Sequence, residues 1–202
     1  MTDQNTTLRD DIAFMKSLAE AGRDRPMAGG SILLMCGLVF GAASLAVWYL
    51  SAVEGLGGWM YLAVWGAATV AFAVLLPLLI RSLPKTAGAV QAAAGVAWSA
   101  VGITIFFLWA SLMVISVKLE LPYLMVVFPS ILMALYGGAW WLAAILLRQR
   151  WLHAVAFGSY AMAVVNGWYA DGPTMWLIYG VSLLALLAAP GWVLMRQARR
   201  AA

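Results

Sequence analysis

The chain has 202 residues, 65% of them hydrophobic and 10% charged, and its twelve basic and eight acidic side chains give a net charge of +4. A soluble domain carries about 25% charged residues, so this chain cannot cover itself with a wetted surface, and its apolar content equally excludes disorder. A mean hydropathy of +0.92 leaves an integral membrane protein.

The first 26 residues are polar and lack the basic start and immediate apolar stretch of a signal peptide. Within them, Thr7-Leu8-Arg9-Asp10 resembles a capping box with Asp in place of Glu. Leu8, Ile12, Met15 and Leu18 then recur at helical spacing, and Gly22 and Pro26 mark an end. This pattern predicts a cytoplasmic amphipathic helix over about 7–22. Its acidic residues Asp10, Asp11, Glu20 and Asp24 offset the basic ones, so anionic lipid offers it little attraction. Its apolar face is expected to dock on the membrane or bundle, or to bind a protein partner.

Six apolar runs follow, each of about the 20 residues a spanning helix needs. They fall at 31–53, 59–80, 89–116, 122–147, 151–169 and 174–195, the third long enough to tilt and the fifth barely long enough. No run alternates as a barrel strand does. Lipid leaves only helices or closed barrels, so the expected fold is an all-α six-helix transmembrane bundle. Short loops predict three antiparallel hairpins over 27–195, and residues 196–202 form a basic tail.

Eleven of the twelve basic residues lie before the first run, in the second and fourth loops, or in the tail. Positive charge stays in the cytoplasm, so both termini are expected there. Arg81, Lys85, Arg148, Arg150 and His153 then form a basic inner rim, which fits phosphate headgroups but which orientation alone already explains. Because these charges sit between apolar runs, they point to a lipid bilayer and not to nucleic acid.

Small residues mark packing faces: Gly37 and Gly41 form a GxxxG element, and Gly137-Gly138 offers another. They predict close helix packing inside the bundle, with a homo-oligomer as the alternative use. Pro77, Pro129 and Pro190 are expected to kink their helices. Trp48-Tyr49 and Trp168-Tyr169 end the first and fifth runs with Gly41 and Gly158 upstream, a pattern a duplicated hairpin would leave.

Chemistry is conspicuous by what the runs omit. None carries an Asp, Glu, Lys or Arg in its core, which argues against a proton-coupled pump and a retinal Schiff base. The single histidine excludes a bis-histidine haem within one chain, and no HExxH is present. His153 and Ser159 fall on different faces of one helix, so no catalytic and no metal-binding set is expected, and no cofactor. Asn166 and Gln91 are the polar residues best placed for a ligand or an interhelical contact. Cys36 is alone, which excludes an intrachain disulfide.

The expected function is therefore non-catalytic: an accessory, assembly or regulatory subunit of a membrane complex, acting through protein contacts in the bilayer and its N-terminal helix. The alternative is a small permease or channel for a neutral or apolar solute, and a lesser one is a lipid-modifying enzyme. Abundant Leu and Ala, with Arg preferred to Lys, point to a bacterial cytoplasmic membrane.

Overall fold

The computed structural model describes residues 29–53, 55, 57–82 and 89–200. The amphipathic segment with Leu8, Ile12, Met15 and Leu18, and Lys85 in the second loop, lie outside the described residues, as does the side chain of Gln91. No strand occurs among the described residues.

The helices are α1 (Gly30–Val53), α2 (Gly58–Ser82), α3 (Ala89–Lys118), α4 (Phe128–Leu147), α5 (Trp151–Trp168), α6 (Thr174–Leu183) and α7 (Ala189–Arg200). A 3-10 turn, Pro122–Val127, leads into α4, and a π-helical stretch, Leu184–Ala188, joins α6 to α7. Five helical segments are long and apolar enough to cross a membrane, the combined α6–α7 rod being one of them. The chain is thus a multi-pass membrane protein by length and composition. Helix α5 has 18 residues, about 27 Å at the helical rise, and is not among those five.

The prolines act in different ways. Pro129 sits in the first turn of α4, where its missing N–H costs nothing. The chain changes from 3-10 to α geometry there instead of bending within one continuous helix. Pro77 lies inside α2. Pro190 follows the π-helical stretch, where the Ala189 N–H bonds back to the Leu184 carbonyl.

Spatial order departs from chain order. Helix α1 packs on α2, on α6 and on α7, α5 packs most extensively on α4 and less on α6, and α3 packs on α4. The order in space is therefore α2, α1, α6, α5, α4, α3. Neither α2 with α3 nor α1 with α4 makes an extensive backbone contact among the described residues. The flanking helices α2 and α3 leave most of their span exposed.

Glycine sets the tightest seam. A Cβ at Gly37 would lie 2.5 Å from the Ala188 nitrogen, one at Gly30 2.6 Å from the Gly191 oxygen, and one at Gly191 2.6 Å from the Leu34 nitrogen. Only glycine lets α1 and α7 approach so closely. Gly41 and Gly158 hold the π stretch from opposite sides, against Leu184 and Leu186 respectively. Gly137 lies under the Tyr160 ring, where a Cβ would meet it at 2.7 Å, and Gly138 lies near the Tyr160 hydroxyl.

Helix direction gathers the basic residues. Gly30 of α1 meets α7, and Gln149 between α4 and α5 hydrogen-bonds Gln197 of α7 at 3.2 Å. At the opposite end, Ser51, Val126, Asp171 and Trp176 surround one shallow depression. Arg148, Arg150 and Arg196 thus belong to one end of the bundle and Asp171 to the other. Arg81 joins the basic end, because Tyr61 near the start of α2 packs on Trp176.

Candidate functional site

Helices α1, α4 and α6 contribute side chains to one buried cluster. Cys36 of α1 and Tyr136 of α4 lie near each other there. Tyr179 of α6 stands beside both, and Tyr61 of α2 lies beyond it. The buried cluster formed by Leu132, Met133, Tyr136, Trp140, Tyr179 and Leu183 backs this group.

Cys36 is only partly buried, and so are Phe40, Trp65 and Trp98, which pack against the same cluster. Helices α2 and α3, which carry Trp65 and Trp98, make no extensive contact with each other among the described residues. On one side Phe40 stacks on Trp65 with ring centres 6.3 Å apart and tilts against Phe72 at 5.3 Å. On the other, Trp98 meets Trp140 edge-on at 4.8 Å and Tyr136 at 6.3 Å.

Donors around this group are incompletely used. The indole nitrogens of Trp65 and Trp98 are buried without a hydrogen-bond partner. The Tyr61 hydroxyl lies near the Trp65 nitrogen, but not in hydrogen-bonding geometry. Elsewhere hydroxyls bond to backbone: Thr69, Ser99, Thr104, Ser159 and Ser182 each donate to a carbonyl four residues back. Ser44 of α1 reaches across to the Trp176 carbonyl of α6 at 2.7 Å.

The sequence-selected residues are dispersed. Asn166 is fully buried, and its Nδ2 donates to the Met162 carbonyl of its own helix at 2.8 Å. Its Oδ1 has no partner, nor has the Oγ of Ser130, which lies 3.5 Å from where a Cβ of Gly167 would stand. His153 packs edge-on against Trp141 at 4.8 Å, and its Nδ1 is buried and unpaired. Arg81, Arg148 and Arg150 are exposed. Arg196 lies over the Trp192 ring, 4.0 Å from its centre. None of these belongs to the buried cluster around Tyr136.

Among the described residues no group of three His, Cys, Asp or Glu could hold a metal ion. The shallow depression at the Asp171 end has a volume of about 330 Å³ and lies open. The residues that converge are thus Cys36, Tyr136, Tyr179, Trp65 and Trp98. Sequence reasoning gave them only background roles, because Cys36 and Tyr136 are 100 positions apart and nothing local pairs them. A signal was present in hindsight: they are polar-tipped side chains at mid-run, away from the interfaces where such groups usually sit.

Comparison with known proteins found no matching family model, no matching curated protein and no matching solved structure.

Proposed function

We propose that this chain is a non-catalytic, six-span protein of a bacterial cytoplasmic membrane, with both termini in the cytoplasm. It works as an accessory, assembly or regulatory subunit through lateral contact with another membrane protein. The sixth span is α5, short but held between α4 and α6. The orientation rests on the basic end, which positive charge keeps in the cytoplasm.

One observation carries the interaction reading. Among the described residues α2 packs chiefly on α1 and α3 chiefly on α4, and each presents an open seam at coiled-coil spacing. On α2 the seam runs Leu62, Gly66, Thr69 and Ala73, and on α3 it runs Gly95, Ser99, Gly102 and Phe106. A Cβ at Gly66, Gly95 or Gly102 would meet nothing within 4 Å. Such small-residue seams offer lipid little contact but let another helix approach closely. The amphipathic segment before residue 27 supplies a second, cytoplasmic contact.

Cross-linking in native membranes tests this. In a Cys36→Ser background, Gly66→Cys and Gly102→Cys are expected to capture a discrete partner, identified by mass spectrometry, which Gly102→Leu loses. Full-length chain should retain that partner in gentle detergent, and a chain lacking residues 1–24 should hold it less well. If both cysteines capture only lipid and unrelated abundant proteins, the interaction reading fails.

A second reading, a small permease for a neutral or apolar solute, draws support from the polar-tipped group inside the bundle. Its tyrosines and Cys36 make an uncharged series from Tyr61 inward. Solute flux in liposomes holding the purified chain is its test.

A further inference from the structure

We infer that Arg148, Arg150 and Arg196 form a binding site for the phosphate headgroup of an anionic phospholipid. A polar link across the bundle brings them together. The Gln149 amide nitrogen donates to the Gln197 side-chain oxygen at 3.2 Å, and the Gln149 oxygen accepts from the Trp151 indole at 2.8 Å. The turn between α4 and α5 is thereby tied to α7. Each of the three arginines is next in sequence to a partner in that link, and all three are exposed. Orientation in the membrane explains why basic residues lie at this end. It acts on charge along the chain and does not draw two separate segments to one place.

The cluster has no internal counterion. Among the described residues the acidic ones are Glu120 and Asp171. Both lie at the opposite end, Asp171 in the depression with Ser51 and Val126, and Glu120 just before the 3-10 turn that leads into α4. Three guanidinium groups held at one place repel one another unless an anion joins them. Two details leave these groups free for that anion. Arg148 sits at φ 52°, a conformation glycine would hold without strain, yet the position carries a charged side chain. Arg196 stacks over the Trp192 ring, 4.0 Å from its centre. Stacking occupies the flat face of a guanidinium and leaves the N–H groups in its plane to bond a phosphate.

Depth and charge select the source of the phosphate. The apolar span Tyr123–Leu147 ends one residue before Arg148, and Arg196 lies near the end of the span Thr174–Arg200. Trp192, one turn further in, is exposed, and rings of that kind sit at headgroup level. Exposed Leu142 and Ile145 of α4 give acyl chains an apolar surface beside the cluster. A zwitterionic lipid would bring an ammonium, for which the described residues at this end offer no carboxylate. The headgroup selected is therefore net negative.

Native mass spectrometry of the purified full chain in mild detergent tests this, with phosphatidylglycerol and phosphatidylcholine of matched acyl chains supplied in equal amounts. The first bound lipid is expected to be phosphatidylglycerol by at least about fivefold, the effect of roughly one arginine near a membrane surface. Arg148→Gln, Arg150→Gln and Arg196→Gln combined should abolish the preference. Arg81→Gln, Lys85→Gln and Arg200→Gln combined remove the same charge from other basic positions and should keep it. Gln149→Ala keeps every charge, breaks the link and should weaken the preference. Thermal midpoints show that each variant is folded. Equal loss in the two triple variants would make net charge the cause and overturn the assignment. Displacement of the lipid by millimolar glycerol phosphate would overturn it too, by making the ligand a soluble phosphate. So would a full chain without preference that gains one on Asp10→Asn, Asp11→Asn, Glu20→Gln and Asp24→Asn, because the chain's own carboxylates would then fill the site. Because the chain is tested alone, failure to find a protein partner leaves this result unaffected.

Discussion

Trp140 shows how one side chain repairs a backbone defect. Pro190 has no N–H, so the Leu186 carbonyl four residues back loses its regular donor. The Trp140 indole, fully buried on α4, donates to that carbonyl at 2.9 Å. Trp140→Phe keeps the ring and removes the bond. Thermal unfolding in detergent should then show a loss of about 1 kcal/mol, and an unchanged midpoint would show that the π stretch satisfies itself. Arg148 makes the opposite case. It ends α4 at φ 52°, a left-handed conformation that costs a side-chain-bearing residue about 1 kcal/mol. Arg148→Gly is expected to raise the midpoint slightly, since its exposed side chain contributes nothing to packing; a lowered midpoint would reveal an interaction of the guanidinium.

At the scale of elements, glycines of identical appearance serve opposite surfaces. Gly37 faces the Ala188 backbone, whereas Gly66 faces open space. Overpacking a tight seam costs about 1–3 kcal/mol. Gly37→Ala should therefore lower the thermal midpoint of the isolated chain, and Gly66→Ala should leave it unchanged. Equal effects from the two would mean that α2 is packed as closely as α1. The comparison also separates folding from association, because only the α2 and α3 positions are expected to alter cross-linking to a partner.

At the scale of the whole molecule, charge and span number are coupled. If α5 crosses the bilayer, Gln149 and Asp171 lie on opposite sides. Single cysteines at these positions, in a Cys36→Ser background, are to be exposed to an impermeant maleimide on intact cells. Asp171→Cys should react and Gln149→Cys should not until the cells are opened. Reaction of both on intact cells would remove α5 from the spans, and the reverse pattern would invert the orientation.

How much of this was legible depends on which forces act locally. The helical runs lie within a few residues of their observed bounds, for instance 31–53 against Gly30–Val53 and 174–195 within Thr174–Arg200. In hydrocarbon each helix must satisfy its own backbone, so length and hydropathy along a single run define it. The basic end follows from the same linear count of charges. The aromatic contacts were not legible. Their rings come from different runs, and the arc α2, α1, α6, α5, α4, α3 places α1 beside α6, far from it along the chain.

The sequence by itself thus determined the membrane class, the helical runs and the charged end of the bundle, because each is decided by a residue and its near neighbours. Only the tertiary structure decided which glycine meets a helix and which meets open space, and which aromatic rings face each other. The reason is physical. Lipid tails are as apolar as leucine, so no hydrophobic difference marks a lipid-facing surface from a helix-facing one. Fit between side chains makes that choice, and fit exists only once the helices have taken their places.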